Sequence, residues 1–559
     1  MWRKFQIISV VFLFCCVSTP ARADHDAEAY RVVPTVIGDL TSVEFQSNSY
    51  MSGFYPSHLE AAKKSDPSSP WFSKVCTSTD DPVCKGPEIL REYYALFPNC
   101  TSQDQTNCIE SVWGYDPMRN KVLGIFVEEW NSPNYFPADA SLNMPEGRGA
   151  STWEIPGVNG SGSNLFGVVV GEHGGEYDQG RRYVNETGAK QKPFDFFISL
   201  QPTSIVSRGA NASSSKFVNS DTDPNGTIFE AAAESRHCLF IDMKRCASKE
   251  SFVTDARYGI SIRVKNQLTP WFFGRLGAPS IQVLKGSVNT QLIVEATSLK
   301  VPIITGQMPF AKLPISFLNN FKQIKTAADL REIWGGIWNQ GDAGRNALQL
   351  YDIFQSSLDP LAKVMKSAWE IRTISQVDYL GEETMTRCSG NSGFAGLVAS
   401  NASVYASGPP VFSEPDQSLN YKVGSVHFDD KGNVINGFYS LSLRSDVARC
   451  LYGFTDAPIN ARVEVLSEGE SQNVATTVLK DSNGWLNLVA SGFHYSSPTV
   501  KVKLTQAKDE TPVVAPISQA PIAAPQTAAV KRSITCINGK NLKKVTAVNP
   551  KCPVGYKKK

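Results

Sequence analysis

The chain has 559 residues, 42% apolar and 19% charged, with a formal net charge of +2. That composition excludes a disordered chain, which would be poorer in apolar residues and richer in charge. A mean hydropathy of −0.21 with one marked apolar run excludes a multi-span membrane protein, and the near-neutral charge argues against a nucleic-acid partner. At about 150 residues per domain, the length predicts three or four domains.

Residues 1–23 carry the three parts of a secretory signal peptide. Arg3 and Lys4 come first, then an apolar run from Ile7 to Val17, then Ala21-Arg22-Ala23 before Asp24. The run is about 11 residues, against about 20 needed to cross a bilayer, so no transmembrane span is expected after cleavage. Cys15 and Cys16 would leave with it, and ten cysteines would remain. Cys76 and Cys84, Cys100 and Cys108, and Cys238 and Cys246 are each eight apart; Cys388 and Cys450 are 62 apart, Cys536 and Cys552 16 apart. Nearest-neighbour pairing gives five local disulfides, as expected of an oxidising compartment. No C-x-x-C occurs, which argues against zinc.

Residues 24–107, rich in Ser, Pro and Asp, read as irregular and hold the first two cysteine loops. Residues 108–322 read as a β-sandwich-like domain. Cys108 to Tyr115 and Lys121 to Glu129 form a hairpin pattern around Asp116-Pro117-Met118-Arg119-Asn120. Strand-like runs follow at Leu165 to Gly171, Phe194 to Leu200, Tyr258 to Val264, Ser280 to Leu284, Gln291 to Ala296 and Val301 to Thr305.

The period then changes, and residues 323–380 read as a helical subdomain. Leu330, Ile333, Trp334, Ile337 and Trp338 follow 3–4 spacing, as do Leu348, Tyr351 and Phe354, then Leu361, Val364, Met365 and Trp369. Three amphipathic helices are expected, the last opened by Asp359-Pro360. Residues 381–506 return to strands as a second β domain. There Tyr421 to Phe428 and Val434 to Leu443 flank the turn sequence Asp429-Asp430-Lys431-Gly432-Asn433. Residues 507–533 are a Pro/Ala-rich linker, and 534–559 a basic, cystine-closed tail.

The charge is unevenly divided. Residues 531–559 hold nine basic side chains and no acid, whereas 24–530 hold 43 basic and 53 acidic residues. An acidic body therefore precedes a tail suited to polyanions, with Lys540, Lys543, Lys544, Lys557, Lys558 and Lys559 as contacts. Ser533-Ile534-Thr535-Cys536 through Lys543-Lys544-Val545-Thr546, then Asn549-Pro550-Lys551-Cys552-Pro553 and Gly555-Tyr556-Lys557-Lys558-Lys559, form the pattern in question. It resembles the Cys-x15-Cys lysine-rich tail of uncharacterised secreted proteins of actinobacteria over about 27 residues. The β domain before it is similar to one that accompanies that tail. The resemblance implies an exported or cell-surface protein and implies no chemistry.

Asp221-Thr222-Asp223-Pro224-Asn225-Gly226-Thr227-Ile228 reproduces the first eight positions of an EF-hand-like calcium loop. Asp221, Asp223 and Asn225 supply side-chain oxygens, Gly226 turns the chain, and Thr227 offers a carbonyl, so calcium is the expected cofactor. Ala232 stands where the loop's closing acid belongs, and the same sequence also suits a polar turn. Glu172-His173-Gly174-Gly175-Glu176-Tyr177-Asp178 gathers a histidine and three acids at a strand end, a set able to hold a metal or act as a general base. Cys388-Ser389-Gly390-Asn391-Ser392-Gly393 resembles the nucleophile segment of trypsin-like serine proteases, and His237-Cys238 their histidine segment. That resemblance implies Ser392 as nucleophile and His237 as base. Phe394-Ala395 departs from the protease pattern, and no aspartate occupies the expected place. Glu128 and Glu129 are adjacent on a strand and face opposite ways, so they do not form a glycosidase pair.

The expectation is a mainly β protein: antiparallel β-sandwich domains with a three-helix insertion, stapled by disulfides. Its expected role is that of a secreted or cell-surface binding or adhesion protein, its tail holding a cell-wall polymer, glycan or other polyanion. The alternative is a secreted hydrolase.

Overall fold

In a computed structural model, the described residues are 37–46, 56–63, 74–86, 89–131, 134–158, 163–175, 195–207, 216–219, 227–230, 238–242, 244–265, 268, 271–334, 337–341, 347–374, 388, 393–406, 408–455, 459–467, 470–472, 476–495, 499–506, 532–539, 541–547 and 550–559. The expected leader, residues 1–23, lies outside them. The chain forms two compact units, residues 1–507 and 508–559.

The first unit is mainly β. Strands Cys108–Tyr115, Arg257–Val264 and Thr290–Pro309 pair antiparallel, with Trp271–Lys285 beside the last. Along Arg257–Val264 the pattern alternates. Tyr258, Ile260, Ile262 and Val264 are buried, while Arg257 and Arg263 bind Glu295 and Glu110 on the other face. Such period-2 alternation is what one face on a core and one face toward water requires. Opposing this layer is a sheet in which Ile89–Leu96, Leu165–Gly175, Asp195–Ser207, Glu370–Thr373 and the start of Trp271–Lys285 follow one another. Phe166, Val168, Phe196, Ile198, Phe272 and Trp369 fill the space between the layers with Ile260, Ile262, Leu292 and Val294. This is a sandwich core.

Two long strands tie the layers together. Trp271–Lys285 leaves one sheet for the other through a bulge between Gly277 and Ser280, where Ala278 has φ +45°. Thr290–Pro309 pairs in turn with Arg257–Val264, with Val364–Ala368 and with Leu40–Gln46. The sheet continues through Gly396–Ser400, Gly437–Arg444 and Trp485–Phe493. A second core lies there. It gathers Phe45, Leu350, Phe354, Tyr421, Leu441, Leu488 and Val502 from segments spread from residue 43 to residue 504.

Several segments depart from the sequence expectation. Residues 24–107 are not irregular where described: Leu40–Gln46, His58–Lys63, Lys74–Cys76 and Ile89–Leu96 are strands. Their alternation is hidden because polar residues, Glu44, His58, Glu60 and Glu92, occupy buried positions. Of the three expected helices, Ala327–Trp334 and Ala347–Phe354 form, but Ile337–Gly341 is a strand parallel to Leu40–Gln46. The third is replaced by strands Val364–Ala368 and Glu370–Thr373. The 429–433 turn forms, with the Asp429 and Gly432 amides bonded to the carbonyls of Asn433 and Asp429. Its arms nevertheless part. Ser418–Gly424 pairs with Thr499–Gln506, and Gly437–Arg444 with Gly396–Ser400 and Trp485–Phe493.

All five nearest-neighbour cystines are present, with Cα–Cα separations from 5.0 to 6.0 Å. Cys388–Cys450 fastens residue 388 to the helix Ser445–Tyr452.

Candidate functional site

Strands His58–Lys63, Ile89–Leu96 and Leu165–Gly175 lie side by side. Their register sets His58 opposite Tyr94 and Tyr94 opposite His173, with Glu60 opposite Glu92 and Glu92 opposite Gly175 in the next row. Residues directly opposite in a sheet share a face. One face thus presents two histidines flanking a tyrosine, beside two facing carboxylates. A Cβ on Gly175 would lie 2.2 Å from the Arg91 carbonyl oxygen, so close approach of the backbones requires glycine there.

Three of the four groups are buried, His173 is half-buried, and all are paired. His58 is 7%, Glu60 3% and Glu92 7% exposed. The His58 ring is stacked on Tyr94, centroids 5.7 Å apart, and Tyr94 on Phe197 at 5.0 Å. His58 Nδ1 lies 2.8 Å from the Pro56 carbonyl. A carbonyl only accepts, so Nδ1 is the donor in that contact, and Nε2 lies 2.8 Å from Glu60 Oε1. His173 Nε2 is bonded to Glu92 Oε1. Neither Glu60 Oε2 nor Glu92 Oε2 has a hydrogen-bond partner among the described residues. Burial pushes the Glu60 carboxyl above the ordinary carboxylate range and Glu92 adds to the rise, against the opposing pull of His58 and His173. On the other face, the Tyr93 hydroxyl donates to Glu172, and burial, then Glu172, raise the Tyr93 pKa.

Of the histidine-and-acid motif, His173 therefore joins this row and Glu172 lies behind it; residues 176–178 fall outside the described residues. The sequence alone does not single out His58, Glu60 and Glu92. The signal was present as polar residues two apart, His58-x-Glu60 and Glu92-x-Tyr94, the spacing that puts both on one face of a strand. The four side chains close into two His–Glu pairs. Among the described residues, no group of three or more His, Cys, Asp or Glu is placed to hold a metal ion.

The other candidates are distributed as follows. Asp221, Asp223 and Asn225 lie outside the described residues, as do His237, Ser392 and Lys540. Thr227 opens the strand Thr227–Glu230, paired with Asn219. Glu128 is bound by Arg245 at 2.9 Å and Glu129 by Arg148 at 3.1 Å, so both carboxylates serve ion pairs. Asp429 accepts from Asn433 and from the Lys431 and Asn433 amides, which hold its carboxyl below the usual range.

The second unit has strands Arg532–Asn538, Asn541–Ala547 and Lys557–Lys558, with the first in the middle. Gly539, at φ +60°, makes the turn between the first two. Cys536 is fully buried and bonded to Cys552. Lys543 and Lys558 flank Cys536 in register, while Lys544 is opposite Thr535 and Lys557 opposite Ile537. Alternation puts the first pair on one face and the second on the other. Lys543, Lys544, Lys557, Lys558 and Lys559 are all exposed. No family model, curated protein or solved structure matches this chain.

Proposed function

We propose that this is an exported binding protein whose C-terminal unit holds an anionic polymer, such as a cell-wall polymer or acidic glycan. The observation that carries this reading is the cystine-closed sheet with exposed lysines on both faces, in a segment with nine basic residues and no acid. A small unit with one bridged core presents those charges at little cost in ordering, and multivalent attraction to a chain of like charges follows. Export is supported by five disulfides, which persist in oxidising compartments, by the leader pattern of residues 1–23, and by the likeness of the tail to those of secreted actinobacterial proteins.

Heparin and polyglutamate columns test the reading. The full chain should be retained at low salt and released as salt rises, because exposed charges are screened within about 10 Å at 0.1 M. Glutamine at Lys543, Lys544, Lys557, Lys558 and Lys559 together should abolish most of that retention with Cys536–Cys552 intact. Equal retention of the five-site variant would overturn it.

A further inference from the structure

We infer that the C-terminal unit grips its polyanion with one face of its sheet, the face of Ser533, Thr535 and Ile537, and that the ligand this face fits is a carboxylated polysaccharide. The inference rests on the reading of this unit as a polyanion holder and adds which residues make the contact. The register sorts the side chains into two faces. On the first, Cys536 is opposite Lys543 on one side and Lys558 on the other, with Ile534 opposite Val545 and Asn538 opposite Asn541. The chain itself occupies that face. Cys536 is fully buried and bridged to Cys552, and a Cβ on Gly555 would lie 3.5 Å from the Asn538 side-chain nitrogen, so the segment carrying Cys552 and Gly555 lies against it.

Successive residues of a strand point to opposite faces, so the second face carries three rows. Ser533 is opposite Thr546, their hydroxyls hydrogen-bonded. Thr535 is opposite Lys544, and from the other side the Lys559 amide donates to the Thr535 carbonyl. Ile537 is opposite Leu542 and Lys557. Apart from Ile537, which is half-buried, all of these residues are exposed. Three lysines thus border a strip of hydroxyl and aliphatic side chains, about 10 Å wide from outer strand to outer strand. No acid of this segment opposes an anion there, since residues 531–559 hold none.

The composition of the strip selects the ligand. Lysines alone attract any polyanion. Leu542, 58% exposed beside Ile537, adds contact only for a ligand with apolar surface between its charges, because apolar area gains from leaving water whatever its partner's charge. The hydroxyls of Ser533, Thr535 and Thr546 both donate and accept, and so match a ligand that bears hydroxyls itself. A carboxylated sugar ring brings all three features: a carboxylate, hydroxyls and apolar C–H faces. A polyphosphate chain brings charge and acceptor oxygens without the apolar face.

The experiment titrates the full chain with polygalacturonate and with polyphosphate at one ionic strength. Lys544→Gln with Lys557→Gln, and Lys543→Gln with Lys558→Gln, remove the same charge from opposite faces. The first pair should weaken polygalacturonate binding about tenfold, the scale of two exposed ion pairs, and the second by less than about threefold. Leu542→Ser changes no charge. It should weaken polygalacturonate binding about threefold and leave polyphosphate binding unchanged. All five positions are exposed, and peptide mapping of Cys536–Cys552 checks that each variant is folded. Equal losses from the two lysine pairs would overturn the face assignment while the polyanion reading stands. A Leu542→Ser variant that binds both polymers as the wild type does would overturn the polysaccharide. If the full chain binds neither polymer, the polyanion reading fails and this inference fails with it.

Discussion

Alanine at Trp369 is expected to lower the unfolding free energy by about 3–5 kcal/mol, the cost of removing a large aromatic from a packed interior. Trp369 is 1% exposed and lies between strands Val364–Ala368 and Glu370–Thr373 in the core between the two layers. Its indole N–H donates to the Ala296 carbonyl at 3.1 Å, which a cavity would leave unpaired. Because domains are stable by only about 5–15 kcal/mol, this single change should bring the first unit close to unfolding. Phenylalanine keeps most of the volume and loses the indole donor, so Trp369→Phe should cost about 1–2 kcal/mol. Urea denaturation checks both. A loss below 1 kcal/mol for alanine would fit a residue on a helix surface and contradict its place here.

Arg275→Leu should cost about 2–5 kcal/mol, because two buried carbonyls lose their donor. Arg275 is 1% exposed. Its Nη1 donates to the Ser400 and Ala402 carbonyls at 2.7 and 2.6 Å, and its Cζ lies 4.6 Å from the Tyr405 ring centroid. It thereby fixes the chain leaving Gly396–Ser400, where that strand turns toward the second core. Lysine offers a point charge in place of a planar fork, so Arg275→Lys should recover only part of the loss. Thermal and urea unfolding of the pair should rank wild type, lysine, leucine. A leucine variant as stable as the wild type would show that the carbonyls find other donors.

The His–Glu row shows why a polar cluster can be half visible in a sequence. His173 stood out because glycines and acids surround it in sequence. Glu60 and Glu92 did not, because what makes them notable is that they face each other, and 31 residues of chain separate two positions that only strand pairing brings into register. Polar side chains at inward positions also disguised the strands that carry them. The alternation of His58, Glu60 and Ala62 against Leu59 and Ala61 reads as a surface segment until its partner strand is known.

What the sequence by itself determined is whatever depends on neighbours along the chain. The cystine pairs are the clearest case, since three of them close loops of eight residues and the nearest partner meets first. The mainly β character followed from alternation in strands such as Cys108–Tyr115 and Arg257–Val264, and the basic C-terminal unit from charge alone. Tertiary structure decided the rest. Leu361, Val364, Met365 and Trp369 fit helical spacing, yet Val364–Ala368 became a strand because Leu299–Ile303 offers it an antiparallel edge. The 429–433 turn formed locally, while its arms joined different sheets, Thr499–Gln506 on one side and Gly396–Ser400 on the other. A short segment can satisfy two periods, or either of two partners, at similar local cost. The choice then rests with the apolar surface buried when distant strands pair, and that quantity belongs to the assembled core rather than to the segment.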